Sequence, residues 1–590
     1  MEQLFSTVPL KVGQLVDRID TGELGLPELQ RPFVWKDAKV RDLFDSMMKG
    51  YPIGYLMLWE CPELDKKKSI GVETHSYPSP KEVIIDGQQR LTCLYAVIKG
   101  KKVFDDKYRE REIIISFNPF TCGFEVGYQA TLRDKHWIYN ISDVFQKSNW
   151  QFMNEYIKQV KDYRESKGME LTDADIALIS ENVSSLYKIL DFLLPVFSIN
   201  SNADEESVSN IFVRVNSGGV PLKQNDFILT LLSLYWPEGR KLIEEFSYQS
   251  ITPSKGATSY NLLTEVDPQN IIRVVIAYAF DRARLKYGYK LLRGADFDKK
   301  GAVDESLRNQ RFDILKDKLA DVLDVHTWHE FLKSLMNAGY LGKEQISSSM
   351  AIFYSYAFYL IAKHRFNASY NENMILTSKW FFYISLVSLY TNSSESVMEN
   401  HLNAIKGLKT FVEYKEFINQ RISERLTNDY FDVTLIGSEG LAVSGKGNPA
   451  WNAYCASLNV LDCHILFSKG NLLVSKLYEP GVDGNRKSLE KHHLFPKAYL
   501  KSLGYSDAKI NQMANYAYID WKDNMEILDD APFVYYPIVC AGMSDDEIRT
   551  MEYENALPHG WENMPYEEFL EKRRVLMAAK IRKAYEKLCK

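Results

Sequence analysis

Two adjacent histidines, His492 and His493, sit in the run LEKHHLFPKAYLKSLGYSDAKINQMANYAYIDWKDN (489–524), in a chain with ten histidines among 590 residues. Hydrolysing a phosphodiester near neutral pH needs a base for water and a cation for the departing 3′ oxygen. Histidine is the side chain whose ordinary pKa suits the first task. Neighbouring residues of a strand point to opposite sides, so one imidazole can bind a metal while the other faces the scissile phosphate. An asparagine carbonyl from a following helix is a hard oxygen ligand, and Asn515 and Asn524 lie 22 and 31 residues beyond His493. The plainer reading is that the histidines pack a strand end and the asparagines sit in ordinary turns.

A second constellation lies near the other end, in EVIIDGQQRLTCLYAVI (82–98). The spacing predicts a buried strand running through Asp86-Gly87-Gln88-Gln89-Arg90 into a helix. Glycine at such a turn lets backbone approach a ligand, and the helix start offers unpaired N–H groups and partial positive charge. Arg90 adds a fork matched to phosphate oxygens. The structural alternative is a capping box, with Asp86 as the cap and Gln89 three residues on.

The elements that must hold these residues are ordinary ones. Apolar content of 45% and charged content of 25% describe a globular chain, and its length implies several domains. A net charge of −6 argues against indiscriminate coating of nucleic acid and leaves room for local basic patches. Seven scattered cysteines without C-x-x-C spacing read as reduced thiols, and the N-terminus lacks the look of a signal peptide. The expectation is a soluble cytoplasmic protein with no membrane partner. Residues 1–230 mix strands and helices, with strands over YPIGYLMLWE, EVIID and FLLPVFSI and a Thr172 helix cap. Helical periodicity dominates 231–435, IGSEGLAVSGKGNP (436–449) reads as a linker, and 450–590 forms a terminal unit. Two basic stretches, RARLKYGYKLLR (282–293) and EKRRVLMAAKIRKAYEKLCK (571–590), could track a phosphate backbone, with Tyr287 and Tyr289 stacking. A solvated helix face with the tyrosines in the core is the blander account of the first, and a solvated face that of the second.

The DGQQR run, LQRPFVW (29–35), DSMMKGYPIG (45–54) and IFVRVNSGGVPLKQND (211–226) occur in the order found in the ParB-like N-terminal domain of GmrSD-type modification-dependent restriction enzymes, which this chain resembles. The run H-H-L-F-P, followed by Asn515 and Asn524, resembles the HNH nuclease motif. Here His492 replaces the usual carboxylate, and MEILDD after Asn524 lacks the downstream lysine often found there. The resemblance implies a multidomain, helix-rich α+β protein: a ParB-like α+β domain, a helical middle and a ββα-metal domain of HNH type. It also implies that Asp86, Gly87, Gln88, Gln89 and Arg90 surround the phosphates of a nucleoside triphosphate (GTP, ATP, UTP or CTP), supported by Gln30, Arg31, Arg214 and Asn216. In the nuclease, His493 would be the general base, His492 and Asn524 would hold Mg²⁺ or Mn²⁺, and Asn515 would brace the loop. The expected function is a bacterial anti-phage endonuclease acting on modified phage DNA under control of an NTPase domain, with self-association as an option. Three rivals stand beside it: a nickase and NTPase responding to phosphorothioate-modified DNA, a nucleotide-gated sensor with an inactive HNH remnant, and a less selective toxin-like nuclease.

Overall fold

The computed structural model describes residues 3–25, 33, 35–60, 81–104, 110–203, 207–208, 211, 215, 232, 236–253, 255–293, 297, 305–444, 447–468, 472–478, 490–519 and 529–590. The chain forms two compact units, Met1–Arg240 and Lys241–Lys590. It is helix-rich α+β, with a mixed sheet in the first unit.

That sheet has five strands, β1 (Phe5–Lys11), β2 (Leu24–Gly25), β3 (Leu56–Glu60), β4 (Glu82–Asp86) and, later in the chain, Leu193–Ile199. Their order is β1, Leu193–Ile199, β3, β4, β2. The outer pairing of β1 with Leu193–Ile199 is antiparallel and sets Pro9 opposite Pro195. Strand β3 joins Leu193–Ile199 in parallel only from Val196 onward, beyond that proline. One face of the sheet is covered by α1 (Val12–Asp20), which buries Val12, Leu15, Val16 and Ile19 at helical spacing. Helix α2 (Asp37–Met48) and helix α3 (Gln88–Lys99) complete the same core. Thr172 does cap its helix, accepting from the Asp175 backbone N–H in a capping box.

The second unit is built on helices that are apolar all round, which only a fully enclosed position allows. Ser349–Leu360 and Pro449–Val460 are buried along nearly their whole length. Tyrosine makes this possible by pairing apolar area with a hydroxyl that finds a carbonyl. Tyr356 Oη donates to Val322 O at 2.9 Å, Tyr414 Oη to Phe358 O at 3.1 Å and Tyr454 Oη to Asn555 O at 2.9 Å. The glycine- and serine-rich stretch read as a linker lies inside this unit. Leu441 is buried with its N–H on Leu435 O, and Val443 O accepts from Met513 N–H at 3.2 Å. Small residues here serve a tight fold-back, which composition does not distinguish from a spacer.

In the basic stretch 282–293 the surroundings support the reading that puts its tyrosine in the core, not the stacking one. Arg282 pairs with the buried Glu399 at 3.3 Å, and its guanidinium lies over the Tyr287 ring. Tyr287 is buried against Phe297, so it is a core residue and offers no stacking platform. The side chain of Tyr289 lies outside the described residues.

The terminal helix Tyr566–Leu588 departs further from a solvated basic face. Arg573 is fully buried, donating through one guanidinium nitrogen to Ala514 O at 2.7 Å and through the other to Asn555 O at 3.5 Å. Arg573→Ala removes both donors and opens a cavity, so it should lower unfolding free energy by roughly 3–5 kcal/mol in denaturant titration.

Candidate functional site

In the first unit, β4 ends at Asp86 and α3 begins at Gln88, with Gly87 as the helix cap. Gly87 adopts a φ of 87°, and no side chain caps the helix start. The capping box with Asp86 as the cap is therefore not formed; the Asp86 carboxylate instead accepts the Gly87 N–H at 2.7 Å. Gln88 is buried and turns its amide back to Ile84 O at 3.1 Å, so only its backbone N–H can serve a ligand. Gln89 and Arg90 are half-buried in the first turn.

Arg90 joins two motifs that lie far apart in sequence. Its guanidinium donates to Tyr55 O at 2.6 Å and lies against Gly54 and Gly87. A Cβ at Gly54 would stand 2.8 Å from an Arg90 nitrogen, and one at Gly87 would stand 2.3 Å from Leu56 Cδ2. The glycine ending DSMMKGYPIG and the glycine of DGQQR thus frame one cation. Burial pulls the guanidinium below its ordinary pKa, and Asp86 nearby opposes that. Gln30, Arg31, Arg214 and Asn216 lie outside the described residues.

In the second unit, the strand Glu490–His493 pairs antiparallel with the strand Tyr516–Ile519, setting His492 opposite Ala517 and His493 opposite Tyr516. The two imidazoles have different surroundings. His492 is only 8% exposed, its ring edge-on to Tyr535. His493 is half-buried, its ring 4.5 Å from the Tyr516 ring, with Nε2 3.1 Å from Asn511 Oδ1. Tyr516 Oη donates to the same Asn511 oxygen at 3.0 Å.

Asn515 is fully enclosed behind the hairpin. Its Oδ1 accepts from Phe495 N–H at 2.8 Å, and its Nδ2 donates to Phe495 O at 3.1 Å and Ile510 O at 3.0 Å. Its own carbonyl accepts from Leu494 N–H at 2.8 Å. These bonds fix the loop that leaves His493, and Phe495 is clamped among Trp561, Tyr566 and Phe569.

Of the two residues proposed to hold a divalent ion, His492 alone lies among the described residues. Asn524 lies outside the described residues, and among the described residues no group of three or more His, Cys, Asp and Glu could hold a metal. The sequence reading missed Asn511 and Arg573. Asn511 lies in the segment inserted between the histidines and Asn515, where local pattern predicts only helix.

Residues 12–233 match the family model for the N-terminal domain of the GmrSD restriction endonuclease. The match spans most of the first unit, and all four motifs that carried that resemblance lie within the matched residues. The hairpin of His492 and His493 lies outside them. Over 572 residues the chain is 22% identical to an uncharacterized protein of Methanocaldococcus jannaschii, covering 90% of this chain and 88% of that protein. Among the described residues no helix is long and apolar enough to cross a membrane.

Two measurements follow from this geometry. Burial pushes the His493 imidazole below its ordinary pKa, with Lys497 adding to the shift and the Asn511 bond opposing it. Its NMR titration midpoint should fall below about 6.5. Because the folded pKa is depressed, the stability held by neutral His493 is present above the unfolded value and is lost as pH falls through the folded one. In the first unit, Gly87→Ala forces a left-handed conformation on a residue with a Cβ, at a cost of about 1–2 kcal/mol before any clash with Leu56. The urea midpoint should drop accordingly.

Proposed function

We propose that this chain is a modification-dependent DNA endonuclease whose C-terminal hairpin cuts under control of nucleotide bound at the Asp86–Arg90 turn. The restriction context is supported by the match of residues 12–233 to the GmrSD N-terminal domain. The observation that carries the nuclease is the setting of His493: a half-buried imidazole at the end of the hairpin, its ring 4.5 Å from the Tyr516 ring and its Nε2 3.1 Å from Asn511 Oδ1.

With Asn511 Oδ1 as its partner, His493 Nε2 carries the hydrogen and Nδ1 keeps the lone pair. Nδ1 then accepts the proton of the water that attacks phosphorus, and Asn511 holds the ring through the step. Asn515 fixes the loop behind it. Mg²⁺ or Mn²⁺, held by His492 and Asn524, would stabilise the departing 3′ oxygen.

In the N-terminal domain, the phosphates of a nucleoside triphosphate meet the N-terminal end of α3 and the Arg90 guanidinium. Gln30, Arg31, Arg214 and Asn216 complete the proposed nucleotide site, and hydrolysis there regulates cutting. The substrate is modified phage DNA met in the cytoplasm. One observation favours the sensor reading, in which the hairpin is an inactive remnant: His492 is almost closed off from solvent against Tyr535.

The test compares plasmids carrying base modifications, phosphorothioates or neither, with each divalent ion and with or without nucleotide. Wild type should cut only a marked plasmid, and His493→Ala should slow cutting by about 10²- to 10⁴-fold. Arg90→Ala should change the nucleotide response alone. Nicking confined to phosphorothioate DNA would select the nickase, and undiminished cutting by His493→Ala would reject the assignment.

A further inference from the structure

The terminal helix Tyr566–Leu588 meets the hairpin loop through Phe569 and Arg573. A different face of it closes a cavity against the helix Asp545–Glu554. The cavity measures about 730 Å³, and its lining includes Leu557, Leu576 and Ala579, with the cations Arg549, Lys572, Lys580 and Lys583 around them.

Lys580 is the unusual group. It is only 5% exposed, and its ammonium lies 3.6 Å from the centroid of the Tyr553 ring, which also lines the cavity. It forms no ion pair or hydrogen bond among the described residues. The lining carboxylate, Glu552, is already engaged: it accepts from Tyr536 Oη at 2.9 Å and lies 3.0 Å from His559 Nδ1. Glu554, whose charge reaches Lys580 without an ion pair, is held by His464, accepting its backbone N–H at 2.8 Å. Lys583 donates to Tyr553 Oη at 2.7 Å, and Lys572 pairs with Glu568 at 2.7 Å. Lysine is almost never this enclosed without an anionic partner, because withdrawing an ammonium from water is expensive. Burial accordingly pushes the Lys580 ammonium below its ordinary pKa.

We propose that this cavity binds a phosphorylated small molecule of mononucleotide size, with its phosphate on Lys580 and Lys583 and its apolar body on Leu557, Leu576 and Ala579. The volume lies in the range of small-ligand sites, roughly 300–1,000 Å³, which are mostly apolar with a few placed polar groups. A nucleic-acid backbone is instead tracked by solvated cations strung along an open surface. Here the key cation is recessed. The site is separate from the Asp86–Arg90 turn and does not depend on the nuclease reading.

Calorimetry on the full chain tests it, using inorganic phosphate, a nucleoside monophosphate and a short single-stranded oligonucleotide as probes. Wild type and Arg90→Ala are compared so that binding at the N-terminal turn is recognised. The monophosphate should bind Arg90→Ala one to one, about tenfold or more tighter than inorganic phosphate. Lys580→Met, which keeps the side-chain volume, should weaken that binding by about tenfold or more, equivalent to about 1.4 kcal/mol, without lowering the melting temperature. Should Lys580→Met fail to fold, Lys583→Ala at the rim reads the same site and should weaken binding several-fold. Unchanged binding in the lysine variants overturns the proposal. So does binding of the oligonucleotide alone, or of no probe at all.

Discussion

The second unit is organised around a positive charge that has left water. Arg573 projects from the terminal helix and is met by two backbone carbonyls, Ala514 O and Asn555 O. Ala514 lies within the three-residue 3-10 turn Met513–Asn515, and Asn555 is the C-cap of the helix Asp545–Glu554, where the backbone dipoles leave partial negative charge. The first carbonyl belongs to the residue before Asn515. The guanidinium therefore pins the segment whose next side chain holds the Phe495 backbone, and through it the loop leaving His493. The placement of one half-buried imidazole traces back to the desolvation of one arginine.

The first unit solves a similar problem differently. Arg90 is accommodated by taking side chains away, since Gly54 and Gly87 both lack the Cβ that would occupy its space. Both also take positive φ, at 93° and 87°. Two stretches separated by more than thirty residues are thus bound to one another through a single side chain. That coupling gives a physical reason for the glycine-containing motifs to occur together in the sequence.

Elements whose signal is local were legible in the sequence. EVIID forms β4 and the Thr172 capping box forms as its residues predict, since strand alternation and helix caps are settled within a few residues. The divided environment of His492 and His493 likewise follows from strand geometry. Where tertiary surroundings decide, the reading failed. In the terminal helix, Arg573 and Lys580 look like a solvated basic face because charge in a sequence carries no record of what will cover it. Tyr287, by contrast, read better as a core residue than as a stacking platform, and it is buried. Asn511 was invisible because its partner, His493, is eighteen residues away. The fold-back over residues 436–443 shows that glycine and serine permit tight packing as readily as looseness.

The sheet edge bears on how the protein survives at high concentration. Strand β1 is seven residues long, lies at the margin of the sheet and exposes Phe5 and Val8. Such an edge is a template for pairing with another molecule. Pro9 stands at a position of β1 whose N–H would point out of the sheet, so it removes an outward donor, and Lys11 ends the run with a charge. A proline set into a vulnerable border works as a molecular fence: it lets the sheet be completed from within while discouraging a neighbour from continuing it.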